Sequence, residues 1–400
     1  MIKALHADIP VLLTLLLVTL FFPIYFVVFS SFIMLYDKRF NNTFVFLYTL
    51  IVFVFIFYFR EYGIYFGGGA GDDVPSYLYA FNFFKDGSTV LDLPSLGIPF
   101  SEPFYWFVFY GIGYFTEFDQ KIFILFNYII SLSLVLYAYR RLFTNYYLAI
   151  FLSNILLNPV FFYATGHVFR QSFSSSIVIL AIVFLINGKN KLAIFLGILA
   201  TLTHVTGIVF LMIMVAYLLS KIKINYLHTR NLIVFTLFFL LILIFSGILD
   251  RIFELMNLYT DGKSSLSFAV LMKFLFFSTI MYYLYIQSKI LQDETLRVLS
   301  FFSLSGTILI LLLLLSPFDV ASRFEILFRP LISLSVIYYV LTYFKHKNLL
   351  FVGLLFFIFL KFYYYSTDAS AFVRHLLLNN FDDLYTLSVF DFFEYLNKDI

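Results

Sequence analysis

Cysteine is absent from the 400 residues, and only 12% of them are charged. The lack of cysteine excludes disulfide frameworks, Cys-ligated zinc, iron–sulfur clusters and thiol nucleophiles. A soluble domain carries roughly 25% charged residues, so this chain has about half the usual polar surface. Apolar residues take their place: 62% are hydrophobic, including 58 Phe and 31 Tyr. The composition predicts an all-α polytopic membrane protein, and a formal net charge of +3 is too small to indicate a nucleic-acid partner.

Long apolar runs predict the membrane crossings, because a helix needs about 20 apolar residues to span the hydrocarbon core. Such runs lie at 11–36, 43–59, 145–163, 171–187, 231–249, 268–287, 298–315, 326–344 and 349–365. The first run is too long for a signal peptide, and we expect it to be retained.

Two further regions complete a total of about twelve crossings. Residues 102–139 contain two apolar stretches that make one net crossing, of which 102–116 is expected to be interfacial or re-entrant. Residues 190–220 begin and end on lysines and cross twice, with about 14 residues for each leg. Legs of about 21 Å are shorter than the core, so the tip, Thr203–Gly207, is expected below the outer surface in a wet cavity.

The distribution of charge predicts the orientation, because basic residues gather in short cytoplasmic loops. The clusters are Lys38/Arg39, Arg140/Arg141, Lys189/Lys191, Lys221/Lys223/Arg230, Lys289/Arg297 and Lys345/Lys347. We therefore expect both termini outside and a single integral membrane domain over 1–400. Its outer parts are the loops 60–101, 250–267 and 316–325 and the C-terminal tail 366–400. The cytoplasmic loops are too short for a nucleotide-binding domain, which excludes ATP-driven transport by this chain alone.

The acidic candidates belong to the first outer loop. Asp72 and Asp73 follow the glycine-rich run Gly67–Gly71, and Glu102 closes the loop. Glycines allow a ligand to approach the backbone closely, and neighbouring carboxylates suit a general base or a cation. The alternative is a flexible turn with solvated acids. We expect no cofactor; a divalent metal held by these three carboxylates is chemically reasonable, but no other residue supports it.

Basic and polar side chains at the outer ends of the helices form a candidate anion site. They are Arg60, His167, Arg170, Gln171, His204, Arg323 and Arg329. Arg170 and Gln171 open a predicted helix, where free N–H groups and a guanidinium both favour an anion. The alternatives are an Arg170 that extends to lipid headgroups, a His204 satisfied in the core, and pairing of the last two arginines with Asp319 and Glu325. Lys273 is interpreted as reaching for the headgroups.

The order of these residues resembles the EpsG/Wzy-like polysaccharide polymerases. Arg60 precedes Gly71-x-Asp73-x-x-x-Tyr77, followed by Glu102-Pro103, Arg170-Gln171, the His204 hairpin and Ser322-Arg323. The resemblance implies a GT-C-like glycosyltransferase fold in the bacterial cytoplasmic (inner) membrane. It implies an enzyme that joins repeat units, each carried on undecaprenyl diphosphate, into O-antigen, capsular polysaccharide or exopolysaccharide at the periplasmic face. The implied partners are the lipid-linked oligosaccharides, the bilayer, and a chain-length regulator and flippase of the same pathway.

This resemblance implies a role for each group of candidates. Asp73, favoured over Asp72 by its spacing to Tyr77, would deprotonate a sugar hydroxyl, and Arg170, His204 and Arg323 would stabilise the departing diphosphate. Tyr77, Tyr105 and Trp106 would stack on sugars. The competing functions are a flippase, an O-antigen ligase, a membrane acyltransferase and a scaffold. A flippase predicts a two-fold repeat and charge along a central path, and neither is visible in the sequence.

Overall fold

The computed structural model describes residues 65–66, 70–71, 73–96, 102–143, 168–221, 268–314 and 321–344, together with Leu50, Val54, Thr165 and Gly353. Its helices are α1 (Val74–Lys85), α2 (Pro103–Phe115), α3 (Gln120–Leu142), α4 (Phe169–Ile186), α5 (Asn190–Thr203), α6 (Gly207–Ser220), α7 (Phe268–Ile290), α8 (Glu294–Leu314) and α9 (Ala321–Tyr343). The predicted all-α class holds for this part apart from one small ladder, in which β1 (Tyr65–Phe66) pairs antiparallel with β2 (Ala70–Gly71).

The first outer loop contains more regular structure than its composition suggests. After β2 it forms α1 and then a 3₁₀ helix over Val90–Leu96. Proline at the start of α1 suits the first helical turn, where a missing N–H costs nothing. The apolar side chains of α1 recur every three or four residues and are buried: Val74, Tyr77, Ala80, Phe81 and Phe84. This face packs against α2 and α3, so the loop is part of the core.

Helix α4 lies at the centre of the described bundle. It packs against α3, α5, α6, α8 and α9, and all but three of its residues are buried. Four of the buried side chains are serines: Ser172, Ser174, Ser175 and Ser176. Small residues of this kind let helix backbones approach closely in an apolar environment. Ser174 Oγ also donates to the Ala200 carbonyl of α5 at 2.8 Å, which joins the two helices.

The predicted double crossing at 190–220 is a helical hairpin. α5 and α6 have 14 residues each and are joined by a turn at His204–Thr206. Gly207 begins α6 directly against α5: a Cβ there would lie 2.6 Å from the Ala200 carbonyl carbon. Glycine is therefore required for the two helices to meet at this point.

Four of the described helices are long and apolar enough to cross a membrane: Gln120–Leu142, Phe169–Ile186, Glu294–Leu314 and Arg323–Tyr343. They coincide with the predicted crossings at 121–139, 171–187, 298–315 and 326–344, and α7 coincides with 268–287. The described part is therefore that of a helical membrane protein. Apart from Leu50, Val54 and Gly353, the predicted crossings at 11–36, 43–59, 145–163, 231–249 and 349–365 lie outside the described residues, as do the loop 250–267 and the tail 366–400.

One predicted boundary is wrong. The outer loop expected at 316–325 ends earlier, because α9 already begins at Ala321. The polar residues at its start do not interrupt the helix, since Glu325 and Arg329 pair one turn apart on its surface. The 13 residues of α2 agree with a stretch too short to span the core, and its membrane depth stays a prediction.

Candidate active site

Asp73 and Tyr77 stand on one face of the start of α1. Asp73 is the residue before the helix, and its carbonyl oxygen accepts from the N–H groups of Ser76 and Tyr77. Its carboxylate makes no capping bond to the helix; instead, Oδ2 accepts from the Tyr77 hydroxyl at 3.2 Å. Residues four apart on a helix are neighbours on its surface, which explains the contact. The acidic group is thus directed away from the helix backbone.

Arg170, in the first turn of α4, lies over the ring of Tyr77. Its guanidinium carbon is 5.1 Å from the ring centroid, a cation–π contact. The neighbouring Phe169 stacks on the same ring, with centroids 5.7 Å apart and planes inclined by 24°. The side chain of Tyr77 therefore links the N-terminus of the central helix to α1.

Glu102 joins Arg170 to the hairpin turn. One of its carboxylate oxygens, Oε2, forms an ion pair with the guanidinium of Arg170. The other, Oε1, accepts from the Val205 N–H at 3.4 Å and lies 3.5 Å from His204 Nε2. Only 4% of Glu102 is exposed. Burial alone would raise the pKa of this carboxyl, but the charge of Arg170, aided by the Val205 N–H and Arg323, holds it below its usual value.

His204 is a buried, neutral side chain within the turn. Its Nδ1 accepts from the Thr206 N–H at 3.3 Å and lies 2.8 Å from the Thr206 hydroxyl, which leaves the ring proton on Nε2, facing Glu102. A neutral ring can donate a hydrogen bond, but it brings no positive charge to a diphosphate.

Helix α9 adds a second arginine to this region. Gln171 Nε2 donates to the Arg323 carbonyl, so the start of α4 is bonded to the start of α9. The positive charge of Arg323 is close enough to favour the charged form of Glu102. Five elements, namely α1, α2, α4, the hairpin turn and α9, thus bring two arginines and two carboxylates into one region.

The model of the EpsG family matches residues 51–379 of this chain. The chain belongs to the EpsG family. The match confirms the resemblance found in the sequence, and membership of this family suggests a polysaccharide polymerase in general. No curated protein and no solved structure matches the chain.

In this EpsG family member the predicted residues divide into three groups. The structure brings together Asp73, Glu102, Arg170, His204 and Arg323, with Gln171 as a buried link between two helices. Arg329 instead shares the carboxylate of Glu325 with Lys273, whose Nζ lies 2.9 Å away. Lys273 is therefore paired within the protein, and the interpretation that it reaches for headgroups is wrong. Arg60, Asp72, His167 and the glycines at 67–69 lie outside the described residues.

The predicted sugar-stacking aromatics form part of the core of the EpsG chain. Tyr77, Tyr105 and Trp106 are each at most 1% exposed, and their rings pack against one another. The Tyr105 hydroxyl donates to Asn127 Oδ1 at 3.0 Å. None of the three rings presents a face on which a sugar could stack. The prediction that they bind sugar is therefore wrong, because α1 turns Tyr77 inward and α2 turns Tyr105 and Trp106 inward.

Two contacts were missed by sequence reasoning. The bond from Tyr77 to Asp73 follows from their spacing of four on a proline-started helix, so its signal was present in the chain. The pairing of Glu102 with Arg170 and with Val205 of the hairpin turn had no local signal, because these partners are 68 and 103 residues away. Within the described residues no group of three His, Asp or Glu side chains could hold a metal ion; independence from metals stays a prediction.

Proposed function

We propose that this chain is a membrane glycosyltransferase that joins oligosaccharide repeat units carried on undecaprenyl diphosphate at the outer face of the bacterial cytoplasmic membrane. Its product is O-antigen, capsular polysaccharide or exopolysaccharide. About twelve crossings in a GT-C-like arrangement, with both termini outside, complete the proposal. The partners are the lipid-linked units, a flippase that delivers them and a chain-length regulator. The observation that carries the proposal is the junction of Asp73 with Arg170 through Tyr77.

The reaction needs a base and an anion-binding group. A hydroxyl oxygen of the acceptor sugar attacks the anomeric carbon of the donor, and the bond from that carbon to the diphosphate oxygen breaks. The hydroxyl proton passes to the Asp73 carboxylate, and the bonding electrons leave with the lipid diphosphate. Arg170 and Arg323 stabilise the charge that develops on the leaving group, as preorganised cations do in other transfer reactions.

Glu102 and His204 have a supporting part in this proposal. The Glu102 carboxylate is already occupied by Arg170 and the hairpin turn, so it orients the guanidinium and leaves Asp73 as the proton acceptor. Neutral His204 holds the other side of that carboxylate. The charges of the two arginines and the two carboxylates cancel. The arriving diphosphate therefore makes the net charge of the site negative.

The test is the surface polysaccharide made by cells that carry Asp73→Asn or Arg170→Ala in place of the wild-type gene. Each variant is expected to abolish long polymer while single repeat units are still made and exported, because bond formation alone is lost. Asp92→Asn is the matched control for Asp73→Asn, since Asp92 lies in the same loop and its carboxylate accepts hydrogen bonds from Thr89. Arg141→Ala is the matched control for Arg170→Ala.

Each competing outcome has a distinct product. Normal long polymer in Asp73→Asn or Arg170→Ala removes that residue from the mechanism. Long polymer that is made but is not transferred to a lipid core identifies a ligase. Repeat units that fail to reach the outer face identify a flippase. Gel sizing of the polysaccharide, with the protein level checked by immunoblot, separates the three.

A further inference from the structure

The hydroxyl and the ring of Tyr77 contact different parts of the site. The hydroxyl donates to Asp73 Oδ2, and the ring carries the guanidinium of Arg170 on one face. We propose that Tyr77 is a positioning residue, which sets the orientation of the base and its distance from the cation that faces the leaving group. This inference rests on the proposed function and gives Tyr77 a role other than binding sugar.

The ring is held too firmly to serve as a mobile contact. Phe169 stacks on it, Tyr105 and Trp106 pack around it with centroids 5.9 and 6.2 Å away, and only 1% of the residue is exposed. A ring fixed on this many sides fixes the direction of its hydroxyl. Since neither contact depends on substrate, the positions of Asp73 and Arg170 are set before anything binds, which is the arrangement that lowers a reaction barrier.

The hydroxyl is a permanent donor. Burial raises the pKa of the Tyr77 phenol, and the charge of Arg170 only partly offsets this. The phenol therefore stays protonated at any pH at which the cell lives, and its proton points at a carboxylate. A hydrogen bond to the charged form of a carboxylate stabilises that form. Tyr77 thus orients the base and also keeps it ionised and ready to accept a proton.

Two charged groups face this pair from the elements packed on α1. Arg170 comes from the start of α4, and its charge acts on Asp73 as well as on Tyr77. Glu102 comes from the start of α2, and its charge acts on Tyr77. Removal of the Tyr77 hydroxyl keeps both charges in the protein but also removes the contact of the hydroxyl with Arg170. The change in the ionisation of Asp73 that follows is therefore attributable to the lost hydroxyl.

The experiment compares Tyr77→Phe with Tyr105→Phe in the purified protein, using undecaprenyl-diphosphate-linked repeat units as substrate. Both changes remove one buried hydroxyl and keep the ring, and Tyr105 bonds to Asn127 instead of to an acid. Tyr77→Phe is expected to lower kcat about tenfold or more, the usual effect of losing a hydrogen bond to a charged group. The acid limb of the pH–rate profile of Tyr77→Phe should move to higher pH, while its KM stays close to that of the wild type. Tyr105→Phe should keep the acid limb of the wild type.

Thermal unfolding supplies the folding control, because the two variants are expected to lose similar stability. The inference is overturned if Tyr77→Phe keeps the kcat and the acid limb of an active wild type, or if Tyr105→Phe shows the same loss and shift. A wild-type protein that forms no polymer from these units overturns the proposed function, and this inference with it. The two failures are therefore distinguishable by the wild-type rate alone.

Discussion

At the scale of single residues, Glu102 is the group on which the geometry of the site depends most. Its two oxygens are divided between Arg170 on α4 and the turn that joins α5 to α6. A buried carboxylate of this kind costs a great deal of desolvation, which is recovered only while its partners are present. Loss of the charge leaves Arg170 without its described counter-ion and removes the acceptor of the Val205 N–H.

Glu102→Gln is therefore expected to lower the free energy of unfolding by about 2 kcal/mol at neutral pH. Because the pKa of Glu102 is lowered in the folded protein, its contribution is present above about 4.5 and is lost as the pH falls through the folded pKa. The difference in the free energy of unfolding between wild type and variant should thus become smaller in acid. Thermal unfolding in detergent at several pH values measures it.

The control is Glu294→Gln, which removes a carboxylate that also binds cations and a tyrosine hydroxyl. The Glu294 side chain is 36% exposed against 6% for Glu102, so its loss is expected to cost less than about 1 kcal/mol. Equal losses in the two variants, or a Glu102→Gln gap that persists unchanged in acid, would contradict the role given to Glu102.

Sequence reasoning predicted the members of the site better than their roles. The convergence of Asp73 with Arg170 and Arg323 was expected from their common position at the outer ends of helices. The roles of His204 and Tyr105 were not predictable, because both depend on burial: His204 is a neutral ring bonded within the hairpin turn, and Tyr105 turns into the core. Hydropathy in a loop does not reveal burial unless the loop is recognised as a folded element.

At the scale of elements, the hairpin of α5 and α6 determines where His204 and Val205 lie. Its turn can reach Glu102 because the two helices touch at Gly207 and Ala200. The lengths of the two helices were predictable from the short distance between two lysine-bearing loops. The helix α1 was not predicted, although the periodic burial of Tyr77, Phe81 and Phe84 is readable in its sequence as one helical face.

Gly207→Ala is expected to separate the two helices, because the new Cβ would lie 2.6 Å from the backbone of Ala200. Overpacking of this kind costs about 1–3 kcal/mol. The turn should move from Glu102, so polymerisation should fall together with stability. Gly111→Ala is the matched control: no atom lies within 4 Å of its Cβ, and the change in a helix should be neutral or slightly stabilising. The unfolding midpoint and the polymer length are measured for both variants.

That expectation would be contradicted if Gly207→Ala kept the wild-type unfolding midpoint and polymer length. A similar loss in Gly111→Ala would show that any added methyl group in these helices is harmful, and that the contact with Ala200 has no special importance.

At the scale of the whole molecule, the described helices place the candidate site at one end and the basic residues predicted to be cytoplasmic at the other. The site lies where α4, α6 and α9 begin, and the basic residues predicted to be cytoplasmic lie where α3, α6 and α7 end or α8 begins. At this second end, Glu294 binds Tyr217, Lys221 and Arg297, and Asp293 accepts from two tyrosines of α9. The separation follows from the charge pattern of the loops, whereas the precise contacts across helices could not be predicted from it.

The absence of cysteine makes the orientation directly testable. Lys85→Cys lies at the end that carries the site, and Lys191→Cys lies at the other end; both positions are exposed. A maleimide that does not cross the membrane is expected to label Lys85→Cys in intact cells and to label Lys191→Cys only after the membrane is opened. Labelling in the reverse order would place the site in the cytoplasm and would contradict an outer-face polymerase.

The central claim, that Asp73 and the arginine beside Tyr77 form glycosidic bonds, is tested most directly by reconstitution. Purified protein in lipid vesicles receives lipid-diphosphate-linked repeat units, and polymer length and released lipid diphosphate are measured together. The wild type is predicted to lengthen the polymer and to release one lipid diphosphate for each bond formed, while folded Asp73→Asn does neither. Polymer formed at the wild-type rate by Asp73→Asn would contradict the account.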